Sequence, residues 1–285
     1  MTTVLVNGLF VGLVYGLLAV GLVVVYRGSR IINFAYGETG MLGAFVFSEL
    51  WVEGGLALPL ALLIGVATSA AIGAATEVAL IRPLRGEPPL TAMVGTLAVA
   101  ALILTFATRR YGLQPHFLPP PFKGEGLKVS SVTVSPTQMV IALVVLLVLA
   151  GLAALYRYTS FGLRLRATAL DPFAAGIVGV NTNATSIGTW ALAGGLAGLS
   201  GILIAPSVAF SVVFMTTLLL RSLAAALVGG LTSIWGAFVA GIILGVAEGV
   251  IGYLAPVTGI VEVVLAGFVL VLLLVRPSGL VRSAY

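Results

Sequence analysis

Apolar stretches long enough to cross a lipid bilayer recur along the whole of this 285-residue chain. They run approximately over residues 4–26, 34–52, 56–81, 90–107, 136–156, 184–206, 216–230, 234–254 and 258–275. A helix needs about 20 apolar residues to span the hydrocarbon layer, and most of these stretches reach or approach that length. Only 8% of the residues are charged. Ordinary soluble domains carry about 25%, so this composition cannot coat a water-facing surface. The fold class that follows is an all-α polytopic membrane protein with about eight or nine transmembrane helices, some of them broken or re-entrant. The first stretch has no basic leader and is too long for a signal-peptide core, so residues 4–26 are expected to stay as the first span.

Two intervals are too polar for lipid. Residues 108–135 hold Arg109, Arg110, His116, Lys123, Glu125 and Lys128, and residues 157–183 hold Arg157, Arg164, Arg166 and Asp171. His116, the single histidine, is read as a solvated loop side chain without a role. If the spans alternate from an outside N-terminus, Arg27, Arg30, Arg82, Arg85, Arg157, Arg164, Arg166, Arg276 and Arg282 all face the cytoplasm. That is most of the 14 Lys and Arg residues, so the positive-inside bias selects N-out and C-in, with 108–135 as an external loop. The net charge of +5 is thus a topology signal, and it does not point to nucleic acid. The stretch 216–230, TTLLLRSLAAALVGG, is short and contains Arg221, which leaves it as a full crossing or as a half-helix buried in protein.

The 36 glycines are patterned. Gly8, Gly12 and Gly16 repeat every fourth residue, as do Gly241, Gly245 and Gly249, and Gly194 with Gly198. That spacing puts small residues on one helix face, where a second helix can pack closely. The tetrapeptide GAFV occurs at 43–46 and again at 236–239, which hints at an internal two-fold repeat.

Several chemistries are excluded. There is no cysteine, hence no disulfide, thiolate metal site or cysteine nucleophile. A phosphate-binding P-loop needs Gly-Lys-[Ser/Thr], and neither Lys123 nor Lys128 has that context, so any ATP must be bound by another chain. No H-E-x-x-H, G-x-S-x-G or second histidine supports hydrolysis, and Asp171 is the single aspartate. No enzyme, metal or cofactor is expected. What remains is charge within or beside the spans. Ionisable groups at membrane depth are costly unless paired or hydrated, so Glu38, Arg221 and Glu248 are candidates for a translocation pathway or for a buried structural pair such as Arg221 with Glu248. Glu77 and Glu262 lie nearer the span ends and are read as interfacial.

Residues 8–45, GLFVGLVYGLLAVGLVVVYRGSRIINFAYGETGMLGAF, closely resemble the opening of permease subunits of branched-chain amino acid ABC importers. The family's Asn-Phe-Ala, Gly-Glu and Met-x-Gly-Ala stand here as Asn33-Phe34-Ala35, Gly37-Glu38 and Met41-Leu42-Gly43-Ala44. FGLRLRATALDPFAAGIVGVN (161–181) is similar to its cytoplasmic loop, LRSLAAALVGGLTSIWGAFVAGIILGVAE (220–248) to a third motif, and RPSGL (276–280) to its ending. Arg221 stands where the family often has lysine, and Trp235 where it often has proline.

The resemblance implies that residues 1–285 form a single transmembrane permease domain in the inner membrane. It also implies a homologous second permease, two cytoplasmic ATP-binding subunits and an external solute-binding protein as partners. The substrate class it implies is branched-chain amino acids, with urea or short amides as the alternative within the family and a secondary transporter or channel as the alternative outside it. On this reading Asn33 and Glu38 belong to a glycine-broken helix that turns back into the membrane and lines a polar route with Arg221 and Glu248. The coupling loop 157–183 is expected to dock a helix into an ATPase groove through Phe161, Gly162, Arg164, Arg166, Asp171, Ala174, Ala175 and Ile177. Pro172 suits a helix beginning just after Asp171.

The charge rule is open to a direct check, made simpler by the absence of native cysteine. A cysteine at Ser29, Ser160 or Ser283 is expected to be shielded from an impermeant thiol reagent in intact cells, and one at Ser130 to be labelled. Labelling at Ser29 with protection at Ser130 reverses the orientation.

Overall fold

The structure, a computed structural model, describes residues 1–122, 124, 126–129, 132–255 and 259–275. Expectations attached to Lys123, Glu125, Ser130, Arg276, Arg282, Ser283 and the RPSGL ending fall outside these residues, as does the side chain of Glu262.

The chain is helical almost throughout. In order come α1 (Thr2–Ser29), α2 (Tyr36–Ser48), α3 (Leu58–Thr76), α4 (Pro89–Tyr111), the strands β1 (Leu127–Val129) and β2 (Val132–Val134), α5 (Pro136–Tyr158), α6 (Ser160–Leu170), α7 (Pro172–Ile177), α8 (Thr182–Ile204), α9 (Phe214–Gly229), α10 (Ile234–Leu254) and α11 (Ile260–Val275). Among the described residues, 6 helices are long and apolar enough to cross a membrane: α1, α3 with its C-terminal turn, α4, α5, α8 and α10. Helices α9 and α11 are shorter, with 16 residues each, and α2, with 13, continues directly into a π-helical turn at Glu49–Glu53. The polar interval 157–183 is folded as α6 and α7, and β1 pairs antiparallel with β2 inside the other polar interval.

Two compact units result, one built from Met1–Val23, Pro119–Leu146 and Leu218–Tyr285, the other from Val24–Leu118 and Leu147–Thr217. In the second unit, α2 is buried on nearly every side against α3 and α8. The glycines of these helices stand where a neighbour's backbone leaves no room for a Cβ. A Cβ on Gly40 would lie 2.6 Å from the Ala197 carbonyl oxygen, and one on Gly201 would lie 2.8 Å from that of Gly40. Gly194 and Gly198 of α8 face Ser69 of α3, as does Gly43 of α2. Ser69 is fully buried, and its hydroxyl donates to the Thr39 carbonyl at 3.0 Å. Without a hydrophobic drive between helices in lipid, such close packing and interhelical hydrogen bonds carry association.

The chain enters α2 through a tight turn. Arg30 adopts φ 58, the left-handed conformation that ends many helices, and its backbone N–H donates to the Tyr26 carbonyl. The Asn33 side chain accepts from the Ala35 N–H at 2.9 Å, and the Phe34 N–H donates to Thr96 Oγ1 on α4. Glycine therefore does not break the helix at residues 37–43. The interruption is at 30–35, and Gly37, Gly40 and Gly43 lie inside a continuous α2, where Gly40 and Gly43 serve close approach to neighbours. Likewise α9 is unbroken from Phe214 to Gly229.

In the first unit the two glycine strips meet each other. A Cβ on Gly8 of α1 would lie 2.9 Å from the Gly245 carbonyl oxygen, one on Gly12 would lie 2.8 Å from that of Ile242, and Gly16 abuts Phe238. From α10, Gly241 and Gly245 face the backbone of Gly16 and Gly12, and Gly249 sits on Val4. Helices α9 and α10 form a hairpin whose turn uses Gly230 at φ 95. Ser233 caps α10 by accepting from the Gly236 N–H at 3.0 Å. Trp235 is exposed in the first turn of α10, where a proline would also fit, so its presence does not disturb the helix.

Overpacking a close seam costs about 1–3 kcal/mol. Gly43→Ala, which drives a Cβ into Ser69 and the Gly65 carbonyl, is expected to lower the melting temperature of the detergent-purified protein by several degrees. Gly151→Ala, where nothing lies within 4 Å, is expected to leave it unchanged or slightly raised.

Candidate functional site

Charged side chains at membrane depth divide into separate clusters, each inside one unit. In the first unit, Arg221 of α9 and Glu248 of α10 form an ion pair, Nη1 to Oε1 at 2.7 Å. Tyr15 of α1 closes the cluster. Its hydroxyl donates to Glu248 Oε2 at 2.9 Å and accepts from Arg221 Nη1 at 2.8 Å. Arg221 and Glu248 are each 21% exposed, so the pair is largely but not fully enclosed by this chain. The pairing of Arg221 with Glu248 that the sequence raised as one of two readings is thus present in the structure. Tyr15 was not singled out by sequence reasoning, although a tyrosine between Gly12 and Gly16 on an otherwise aliphatic helix is the signal that marks it.

The second unit holds Glu38 in the first turn of α2, where the helix dipole favours an anion. It is 6% exposed. Its Oε1 accepts from Thr216 Oγ1 at 3.0 Å, while its Oε2 has no hydrogen-bond partner among the described residues. Asn33 forms the turn just before α2 and commits its side-chain oxygen to the Ala35 N–H.

Glu77 does not snorkel outward as expected: its side chain is fully buried. The last turn of α3 widens into a π-helical turn at Glu77–Ile81, and the following loop folds back so that Arg85 and Arg82 both reach the carboxylate. Arg85 also donates to Asn183 in the first turn of α8, so one guanidinium ties α3 to α8. The His116 side chain is exposed in its loop, as read from the sequence, and it also makes local contacts. Its ring stands perpendicular to that of Phe45, with centroids 5.5 Å apart, and its backbone N–H donates to the Phe210 carbonyl at 2.7 Å. Nε2 lies 3.0 Å from the Tyr111 carbonyl, which only accepts, so that nitrogen carries the proton.

Helices α6 and α7 have a rooted side and a free side. Thr159 caps α6 through the Gly162 N–H, and Asp171 caps α7 through the N–H groups of Phe173 and Ala174. Gly162 packs on the backbone of Tyr156, and Phe161 lies against Gly188 of α8. Leu165, Thr168 and Ala175 are buried. Arg164 bonds back to Ser160, and both Arg164 and Arg166 are exposed. The free apolar side chains are Leu163, Leu170, Phe173, Ile177 and Val178. Of the apolar docking residues expected from the sequence, Ala174 and Ile177 lie on this free side, whereas Phe161, Gly162 and Ala175 root the pair. Phe173, which the sequence did not single out, is 79% exposed on the same side.

Comparison with known proteins bears on what these features serve. The profile of the family described as "Branched-chain amino acid transport system / permease component" matches residues 4–274. The chain belongs to this family. It is 32% identical to the high-affinity branched-chain amino acid transport system permease protein BraD of Pseudomonas aeruginosa, over 97% of this chain and 94% of that one. With LivH of Escherichia coli K12, of the same description, it shares 29% identity over 96% of this chain and 93% of the relative. With the probable branched-chain amino acid transport permease protein LivH of Methanocaldococcus jannaschii it shares 32% over 83% and 76%. Among solved structures, PsaBC from Streptococcus pneumoniae in complex with Fab superposes with a TM-score of 0.53, at 18% identity, over 97% of this chain and 92% of that one. At that identity the likeness is one of fold. The protein is a multi-pass inner-membrane permease component.

Removing one member of a paired cluster strands the other, at a cost of about 1–3 kcal/mol for a buried polar group and more for a charge. Arg221→Met and Glu248→Met are each expected to reduce the yield of folded, detergent-extracted protein, and the double variant to recover part of the loss. Yields that simply multiply would mean the pair carries no coupling energy.

Proposed function

We propose that this chain is the membrane subunit of an ATP-driven importer, carrying branched-chain amino acids inward with energy supplied by ATP-binding subunits in trans. The observation that carries this reading is the family match over residues 4–274, with relatives aligned over nearly their whole length. The relatives' names speak for branched-chain amino acids over urea or short amides. The partner set is a homologous second permease, two ATP-binding subunits and an external solute-binding protein that selects the cargo.

The free side of α6 and α7 is the docking surface for the ATP-binding subunit on this reading, and the arginine-bearing ends face the cytoplasm. Phe173, Ala174 and Ile177 present a compact apolar face of the kind that enters a groove. The rooted side then passes the movement on. Phe161 bears on α8 at Gly188, and α8 packs on α2 and α3 at backbone contact. Helices packed so closely shift together. A push on α7 therefore reaches the first turn of α2, where Glu38 has one carboxylate oxygen without a partner among the described residues. That oxygen is positioned to meet the ammonium of a passing amino acid transiently, which suits a conduit that must release its cargo. Tyr15, Arg221 and Glu248 satisfy one another and hold α1, α9 and α10 together.

Uptake of radiolabelled leucine into vesicles containing the assembled importer tests the function directly. Phe173→Glu and Ala174→Glu are expected to keep the permease in the membrane while cutting uptake about ten-fold or more, as loss of a central interface anchor does. Ala175→Glu, which places a charge at a buried site, is expected to lower the amount of folded protein instead. Wild-type uptake in Phe173→Glu and Ala174→Glu would remove α7 from the coupling path.

A further inference from the structure

The second unit contains a cavity of about 460 Å³ that the transport reading does not use. It opens among the end of α1, the loop between α3 and α4, the α6–α7 pair and the start of α8. Its size falls within the range of about 300–1,000 Å³ typical of small-molecule sites. One wall is aliphatic, formed by Ile31, Ile81, Leu84 and Ala92. Another carries hydroxyls, from Ser29, Ser186 and Thr189. Arg85 and Glu87 stand on the same lining, two residues apart in the loop after α3.

The charges are arranged unevenly. Arg85 is held from behind by Glu77 and Asn183, which fix its guanidinium in place. Those bonds occupy part of a group with five N–H donors, so donors are left over. Arg82 and Arg85 also share the single carboxylate of Glu77, and that carboxylate cannot neutralise both. Glu87 is exposed and makes no ion pair among the described residues. The cavity thus offers a fixed cationic group, an available carboxylate and an aliphatic wall. Those are the complements of a carboxylate, an ammonium and a branched aliphatic side chain.

We infer that this cavity is a second, regulatory amino acid site, taking a free aliphatic amino acid on the arginine-rich side of the membrane. Pro172 and Phe173 of α7 belong to its lining. An occupant therefore touches the helix proposed to dock the ATP-binding subunit, and it holds α7 in one position. Because the ligand is the transported product, filling the site slows import when product accumulates inside. The inference rests on the substrate and orientation given under Proposed function.

The test uses the purified, reconstituted importer, with the solute-binding protein confined to the opposite side from the arginine-rich one. L-leucine is added to the arginine-rich side, and the ratio of ATPase and uptake rates with and without it is read. The ratio cancels any change in basal rate. For the wild type a fall of about five-fold or more is expected, in the range of ordinary allosteric coupling. Calorimetry on the detergent-purified complex lacking the binding protein should show L-leucine binding. Ser186→Leu, which fills the cavity, and Glu87→Gln, which removes the carboxylate from an exposed loop, should each bring the ratio close to one. D-leucine, with its ammonium and side chain interchanged about the carboxylate, should act weakly. If the wild type imports leucine yet internal leucine neither binds nor slows it, the cavity is not a regulatory site. The regulatory assignment also fails if both variants respond as the wild type does. Failure of the wild type to import any branched-chain amino acid would instead overturn the substrate reading.

Discussion

The contact on which the rest of the second unit depends is the approach of α2, α3 and α8 to backbone distance around Ser69. Three glycines, Gly43, Gly194 and Gly198, face that one buried serine from two helices, and its hydroxyl binds a carbonyl of α2. In lipid, apolar side chains gain nothing by leaving one hydrocarbon for another, so helices are held by packing and by hydrogen bonds made at close range. Close range also makes the assembly stiff. Interfaces packed at this density do not deform gradually. Helix α2, which carries Glu38, is enclosed by these neighbours on nearly every side.

The placement of charge follows the same logic. Each acidic group at depth is handled differently according to what its helix can bring near. Glu248 has Arg221 and Tyr15 from two other helices. Glu77 has two arginines from a loop that folds back over the end of its own helix. Glu38 has a threonine hydroxyl and the favourable end of a helix dipole, but no cation among the described residues. A carboxylate left that way is costly, and groups of this kind at membrane depth mark a pathway by default. That difference in local neutralisation separates Glu38 from the paired charges and is the reason it is the residue proposed to meet the solute.

A good part of the architecture was legible from the chain itself. Apolar run length located the six long apolar helices, because the thickness of hydrocarbon imposes the same requirement on every crossing helix. Asp171 followed by Pro172 marked the start of α7, since a side-chain cap and a fixed φ are local properties. The glycine strips at spacing four marked faces for close approach. Which strip meets which was not legible, because a repeat says nothing about its partner. Nor was the reason why Gly40 and Gly43 are glycines. The helix that opens at residue 36 read as glycine-broken in the sequence, whereas Gly40 and Gly43 are vacated space for Ala197 and Ser69.

The sequence by itself determined the solvent, the helical class, the family and the lack of a phosphate-binding P-loop. Each of these rests on composition, run length or motif, which are properties of a strand of residues read in order. Only the tertiary structure decided that Tyr15 joins Arg221 and Glu248, that Arg85 leaves its loop to bury Glu77, and that Phe173 is free while Phe161 and Ala175 are rooted. The physical reason is that pairing, burial and exposure are relations between helices brought together from distant parts of the chain. No local pattern records which neighbour will arrive.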